Sequence, residues 1–160
     1  LLTNTVTSFS EHDNAIDYRK YVPTVIPDGF ELKWIDISQP GVFGDEIGRM
    51  DLRYYPNTVS VSGDTMTHEI ADIAGYQIRI KTFTYKEVPV SQSYMDLADD
   101  TKVFYEEKYG GIYETIVESP SDPNVKGITL FTNNYEISIG GRGLPLETYE
   151  EIFLDIFERQ

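Results

Sequence analysis

The chain contains no cysteine, two histidines and one tryptophan. The missing cysteines exclude disulfide bonds, thiolate metal ligands and a cysteine nucleophile. A membrane-spanning helix needs about 20 consecutive apolar residues, and no such run occurs between Leu1 and Gln160. We therefore expect no direct membrane insertion of this segment. Because the chain begins with Leu1-Leu2 and not with Met, we expect an anchor or signal segment upstream of Leu1.

Basic residues are also few. The chain has 13 lysines and arginines against 27 aspartates and glutamates, which gives a formal net charge of −14. The basic residues are scattered singly along the sequence. Nucleic acids and anionic membrane surfaces both attract proteins through a clustered positive field. The sequence therefore predicts no nucleic-acid partner.

The length of the chain favours one domain. A chain of 160 residues is long enough to bury roughly 70% of the surface that it exposes when unfolded. Residues 1–20 are predicted to form a lead-in segment with a short helix, for which Ser10 or Asp13 is a candidate N-cap. Residues 21–160 are predicted to form a single α+β domain.

The stretch from Lys126 to Phe157 is predicted to organise the rest of the chain. Apolar and polar residues alternate on both sides of Asn133-Asn134. Asn tolerates the positive φ of a tight turn, so this pattern predicts a β-hairpin. Antiparallel pairing then places four apolar side chains on one face: Ile128, Leu130, Ile137 and Ile139.

A helix after the hairpin is predicted to cover that face. Thr148-x-x-Glu151 has the spacing of a capping box. Five apolar side chains follow the helical period: Tyr149, Ile152, Phe153, Ile156 and Phe157. The loop between strand and helix, Gly140-Gly141-Arg142-Gly143, is compatible with a phosphate cradle. Its glycine spacing matches neither phosphate-binding fingerprint, so we favour a simple strand-to-helix turn.

Further strands are predicted from alternating residues that begin near Phe30, Met50 and Tyr76, with a bulge before Ile35. Residues 64–75 fit either a helical turn or a strand. A second hairpin is predicted between residues 102 and 118, with positive φ angles at Gly110-Gly111. The predicted fold is therefore α+β: a twisted, meander-like antiparallel sheet of about 6–7 strands, with one face covered by the C-terminal helix.

The sequence predicts no catalytic residue, no metal site and no cofactor. His68-Glu69 followed by Asp72 resembles part of a zinc-protease helix, but Asp72 stands where the second histidine is needed. Three nearby aspartates lack the spacing of a calcium loop: Asp96, Asp99 and Asp100. A solvated polar face is the simpler interpretation. A carboxylate-dependent hydrolase stays an alternative, because a sequence cannot place two carboxylates across a cleft.

A candidate binding surface is suggested by the second hairpin. Tyr105, Tyr109 and Tyr113, together with Phe104, are predicted to form an aromatic platform for a peptide, a lipid or a glycan. Ordinary half-buried packing is the alternative interpretation of these tyrosines. Arg142 in the glycine loop completes the candidate binding residues.

The segment from Tyr21 to Leu32, with Pro23, Pro27, Gly29 and Phe30, is followed much later by the last hairpin and the terminal helix. This arrangement resembles an uncharacterised extracytoplasmic domain family of Gram-positive bacterial lipoproteins and anti-sigma-factor-like membrane proteins. The resemblance implies a domain of unknown function that is extracellular or anchored at the cell surface, with a sensory or protein-binding role and no catalytic residues.

Our functional hypothesis is a non-enzymatic extracytoplasmic binding or sensory domain of a secreted or membrane-anchored bacterial protein. Its expected partner is a protein or a cell-envelope ligand. The first alternative is a lipid-binding or lipoprotein-binding carrier, which needs an apolar cavity between the sheet and the helix. The second is the hydrolase, which needs two converging carboxylates with perturbed pKa values.

Overall fold

The structure is a computed structural model that describes residues 2–5, 18–38, 47–59, 74–83, 102–120 and 122–160. Within these ranges the chain forms one sheet, one α-helix and a 3₁₀ helix. The strands are β1 (Leu2–Thr5), β2 (Phe30–Ser38), β3 (Ile47–Pro56), β4 (Gly75–Phe83), β5 (Val103–Lys108), β6 (Gly111–Ile116), β7 (Val125–Phe131) and β8 (Tyr135–Arg142). The 3₁₀ helix spans Tyr18–Tyr21, and the α-helix α1 spans Leu146–Phe157.

Strands β2 to β4 and β5 to β8 form two antiparallel meanders that join in the middle of the sheet. The order across the sheet is β1-β2-β3-β4-β8-β7-β6-β5, so β4 pairs with β8. Strands β2 to β8 are antiparallel, and α1 packs against β7 and β8. The predicted α+β fold, with an antiparallel sheet covered on one face by the C-terminal helix, is confirmed. The sequence pattern does not predict β1, which pairs in parallel with β2.

The predicted pairing of the last hairpin is confirmed. Leu130 lies opposite Ile137 and Ile128 opposite Ile139, and these four side chains are 0–1% exposed. The predicted positive φ at Asn133 and Asn134 is wrong, because neither residue has one. Instead, the Thr132 hydroxyl accepts hydrogen bonds from two backbone N–H groups of the turn and donates one to the Tyr135 carbonyl.

The predicted apolar stripe of α1 is confirmed, but its predicted start is wrong. Four of the five stripe residues are fully buried and Phe157 is half-buried. The helix begins at Leu146 after Pro145, and no side chain caps it. Leu146 packs against the core, so burial of this side chain extends the helix to a point before the capping box at Thr148.

The turn of the second hairpin lies one residue earlier than predicted. Positive φ angles occur at Tyr109 (57°) and Gly110 (78°), whereas Gly111 pairs with Lys108 as the first residue of β6. A Cβ atom at Gly111 would lie 2.0 Å from the Phe131 carbonyl oxygen. Glycine is therefore needed at position 111 for the close approach of β7, and not for its φ angle.

The predicted bulge in β2 is present, between Leu32 and Trp34. Leu32 lies opposite Tyr54, and Ile35 lies opposite Leu52. Both are partly buried against the core under α1. Because successive strand residues point to opposite faces, the bulge leaves Trp34 on the face that α1 does not cover.

The predicted glycine turn before α1 is mostly strand. Gly140, Gly141 and Arg142 belong to β8, and only Gly143, with φ 95°, lies in the connection to the helix. The interpretation of residues 140–143 as a loop is therefore wrong. Pairing of β8 with both β4 and β7 explains the difference, since each neighbour supplies backbone partners to these residues.

Hydrogen bonds from the end of α1 hold the segment that precedes β2. Asp155 accepts hydrogen bonds from the backbone N–H and the hydroxyl of Thr24, at 2.7 and 2.9 Å. Arg159 donates to the Val22 carbonyl oxygen at 2.6 Å. Burial alone would raise the pKa of Asp155, but the Thr24 and Val25 hydrogen bonds and the Arg159 charge outweigh it and lower the pKa.

Several predicted features lie outside the described residues. They are the lead-in helix near Ser10 and Asp13, the His68 motif, and the aspartates at 96, 99 and 100. Residues 64–73 of the segment 64–75, which fits either a helical turn or a strand, also lie outside them. No helix in the described ranges has the length and apolar character to cross a membrane.

Candidate functional site

The candidate site lies on the sheet face opposite α1, which we call the open face. It is formed by the strand residues that alternate with the core positions. Cross-strand register aligns one polar row across six strands of this face: Asp36, Asp51, Arg79, Ser138, Thr129 and Glu114. A row of this kind cannot be read from separate strands, because register decides which polar side chains meet.

Hydrogen bonds order the centre of the open face. The Asp51 carboxylate accepts one bond from Gln77 Nε2 at 2.9 Å and one from Arg79 Nε at 2.8 Å. The hydroxyl groups of Thr129 and Ser138 are 2.9 Å apart and share a hydrogen bond. These contacts hold the polar groups in fixed orientations, which is a requirement for specific recognition of a ligand.

A depression of about 170 Å³ lies beside this network, lined by Gln77, Arg79, Ser138 and Gly140. Gly140 lies opposite Gly127 in the register of β7 and β8. Gly140 therefore contributes only backbone to the lining of the depression. A guanidinium, an amide and a hydroxyl therefore surround a space that suits one polar group of a ligand.

Four basic side chains meet on β3 and β4, although the basic residues are scattered in the sequence. They are Arg49, Arg53, Arg79 and Lys81. Arg49 lies directly opposite Lys81, and the Lys81 ammonium group is 3.8 Å from the Glu136 carboxylate. The signal in the sequence is an even spacing within each strand, four residues from Arg49 to Arg53 and two from Arg79 to Lys81, because residues i, i+2 and i+4 of a strand share a face.

Two carboxylates face each other at the β2–β3 end of the polar row. Asp36 lies opposite Asp51. Burial and the charge of Asp51 raise the pKa of Asp36, while Arg53 opposes this effect. The Asp51 carboxylate also accepts the two hydrogen bonds from Gln77 and Arg79. The described residues contain no group of three or more histidines and acids that would hold a metal ion.

The only tryptophan of the chain belongs to the open face. Trp34 lies opposite Arg53 in the register of β2 and β3 and is half-buried. Arg53 also hydrogen-bonds to the hydroxyl of Tyr55. An arginine and two aromatic side chains are thus neighbours at this end of the face, away from the core under α1.

The structure separates the four residues of the predicted binding surface. Tyr113 is 6% exposed and packs on Phe153 under α1, with ring centroids 5.3 Å apart. Tyr109 is 37% exposed at the hairpin tip and also packs on α1. Tyr105 and Arg142 belong to the open face, where Arg142 forms an ion pair with Asp122. The four residues therefore form no continuous platform.

The interior between α1 and the sheet is filled by aromatic side chains. Tyr54 and Tyr76 are stacked with ring centroids 4.7 Å apart, and Tyr149 meets Tyr76 edge-on at 6.1 Å. Burial raises the pKa of Tyr54 and of Tyr149 to about 12. These contacts occupy the space that an acyl chain would need, so nothing in the described part of the interior favours the lipid-carrier alternative.

Comparison with known proteins assigns no family to the chain. No family model matches it, and no curated protein or solved structure is significantly similar to it. We therefore infer function from the geometry of the open face.

Proposed function

We propose that this chain is a non-enzymatic extracytoplasmic domain that binds a protein or cell-envelope ligand through its open face. One observation carries the proposal: α1 packs on one face of the sheet, while the other face carries polar side chains that are already ordered by hydrogen bonds around the exposed Arg79. Ordering before binding reduces the entropy that a ligand must overcome. A face built in this way suits binding.

Binding fits the open face better than catalysis does. The face offers cations, amides and hydroxyls around a shallow depression. Its carboxylate pair, Asp36 and Asp51, lies side by side on β2 and β3, and Asp51 already accepts two hydrogen bonds. General acid–base catalysis needs groups that can reach a substrate proton in a protected site. We therefore favour recognition as the role of this surface.

An extracytoplasmic location is supported by the resemblance of the segment from Tyr21 to Leu32 and of the last hairpin and helix to surface domains of Gram-positive bacteria. Asp155 and Arg159 of the terminal region hold Thr24 and Val22 of that segment, so the two parts that carry the resemblance are in contact. Protease treatment of intact cells that produce the full-length protein tests the location. Cleavage is expected outside the membrane, and complete protection until lysis would refute it.

The binding role is tested by a bulky substitution on the open face. Ser138→Tyr places a large side chain beside the depression, on a strand where tyrosine is tolerated. Glu151→Tyr is the matched control, because Glu151 is exposed on α1 on the other side of the molecule. Wild type and both variants would be immobilised and exposed to a solubilised envelope fraction from the producing cells.

We expect wild type and Glu151→Tyr to retain the same envelope component and Ser138→Tyr to lose it. Melting curves of both variants check that the fold is intact. Retention by Ser138→Tyr equal to that of wild type, or loss in Glu151→Tyr alone, would show that the open face is not the binding surface. If wild type retains nothing beyond a blank surface, the binding role itself is refuted.

A further inference from the structure

The chemistry of the ligand is suggested by a local reversal of charge on the open face. We define the β3–β4 patch as six residues: Arg49, Asp51, Arg53, Gln77, Arg79 and Lys81. Four cations and one anion give the patch a charge of 4 − 1 = +3, whereas the whole chain carries −14. Asp36 on β2 and Glu136 on β8 border the patch and bring the local sum to +3 − 2 = +1. Among the described residues, this region therefore carries a charge opposite in sign to the net charge of the chain.

The arrangement of the cations is not what stability alone favours. Like charges directly opposite each other on neighbouring strands are destabilising, and Arg49 faces Lys81 in this way. Glu136 offsets the Lys81 charge only at 3.8 Å, and Arg49 is exposed. An anionic group bound between the two would relieve their repulsion.

Arg79 is oriented for such a group. Its Nε group donates a hydrogen bond to Asp51 Oδ1, and the same oxygen accepts a second hydrogen bond from Gln77 Nε2. The side chain remains 49% exposed, and its terminal nitrogens have no partner among the described residues. The guanidinium fork matches a carboxylate with two parallel hydrogen bonds, which a lysine cannot reproduce.

The residue types of the patch and its border point to a protein as the source of the carboxylates. Arginine and tryptophan are enriched among the residues that dominate protein–protein binding energy. Trp34 borders the patch next to Arg53, and the depression beside Arg79 is sized for a single acidic group. A sheet face of this composition suits an acidic protein surface.

We propose that the ligand of the open face is a partner protein that presents clustered carboxylates to the β3–β4 patch, with Arg79 as the central contact. This inference rests on the proposed binding role of the open face. The protein would then recognise an anionic partner although its own net charge is strongly negative, so binding requires local and not global charge complementarity.

A short poly-L-glutamate peptide is the probe. Trp34 is the only tryptophan, so its fluorescence reports binding at the border of the patch. We expect the peptide to shift Trp34 emission, with an affinity that falls as salt is added. Arg79→Gln is expected to weaken binding about tenfold, and Arg79→Lys is expected to weaken it less because the charge is kept. Lys102→Gln is the control, since Lys102 is equally exposed but pairs with Glu118 outside the patch.

Four outcomes would overturn the inference. The first is an absence of poly-L-glutamate binding, and the second is an equal loss in Lys102→Gln. The third is tighter, Arg79-dependent binding of polyphosphate, which would identify a phosphate ligand. The fourth is a dimer in sedimentation that Arg79→Gln dissociates, which would identify a second copy of the chain as the occupant. Envelope retention that is lost in Ser138→Tyr, without glutamate binding, would preserve the proposed function and refute only the acidic partner.

Discussion

Truncation of Phe153 is expected to destabilise the domain more than any other single change in α1. Phe153 is 0% exposed. Its ring lies 5.5, 5.3 and 5.6 Å from the rings of Tyr109, Tyr113 and Phe157. It therefore joins the β5–β6 hairpin to the helix as well as filling the core. Because three aromatic neighbours surround the site, the structure around it has little freedom to collapse into the space left by the ring.

A buried Phe→Ala substitution costs about 4 kcal/mol. For a domain of this size that corresponds to a melting temperature lower by about 10 °C. Leu154→Ala is the matched control, because Leu154 is the next residue of the same helix and is 38% exposed. Its truncation is expected to cost less than about 1 kcal/mol.

Urea unfolding followed by circular dichroism measures both variants. We expect Phe153→Ala to lower the midpoint without a large change in slope, because the unfolded chain exposes nearly the same surface. Equal stability of Phe153→Ala and wild type would show that α1 does not pack on the sheet at this point. A Leu154→Ala variant as unstable as Phe153→Ala would show that the two faces of the helix are assigned incorrectly.

Three further predictions concern the hairpin and two carboxylates. Gly111→Ala should be more destabilising than Gly110→Ala in urea unfolding, because the backbone carbonyl of Phe131 cannot move away from a new Cβ as easily as an exposed turn relaxes; the reverse order would refute the close approach of β7. Asp155→Asn should lower stability at pH 7, and the difference from wild type should vanish as the pH falls through the lowered pKa of Asp155, below 3.8, where the wild-type carboxylate is protonated; a difference that persists in acid would exclude the charge as its cause. Asp36→Asn should raise stability at pH 7, because ionisation of a group with a raised pKa opposes folding, and the gain should shrink as the pH falls through the raised pKa and vanish below the ordinary value of 3.8; a loss of stability at pH 7 would contradict the repulsion between Asp36 and Asp51.

The fold was largely predictable because its main signals are local. Alternation around Ile128 and Ile137 and the helical stripe from Tyr149 to Phe157 each follow from the period of one element. The turns were less predictable. The turn at Asn133 and Asn134 does not have the expected positive φ angles and is instead held by hydrogen bonds to the Thr132 hydroxyl. Side-chain contacts of this kind form only when the hairpin is closed.

The candidate site was not predictable to the same degree. The tyrosines of the second hairpin were a reasonable choice from composition, but register places Tyr113 in the core and Tyr105 on the other face. The basic patch was missed because Arg49 and Lys81 are 32 residues apart in the chain (81 − 49 = 32) and become direct neighbours only when β3 pairs with β4.

The sequence by itself determined the fold class, the inward face of the last hairpin and the buried face of α1, because hydrophobic period acts within each element. Only the tertiary structure decided the parallel addition of β1, the transfer of Trp34 to the open face and the meeting of four cations on an acidic protein. These features depend on strand order, on a one-residue bulge and on cross-strand register. Each is set by contacts between distant segments, so no local pattern carries it.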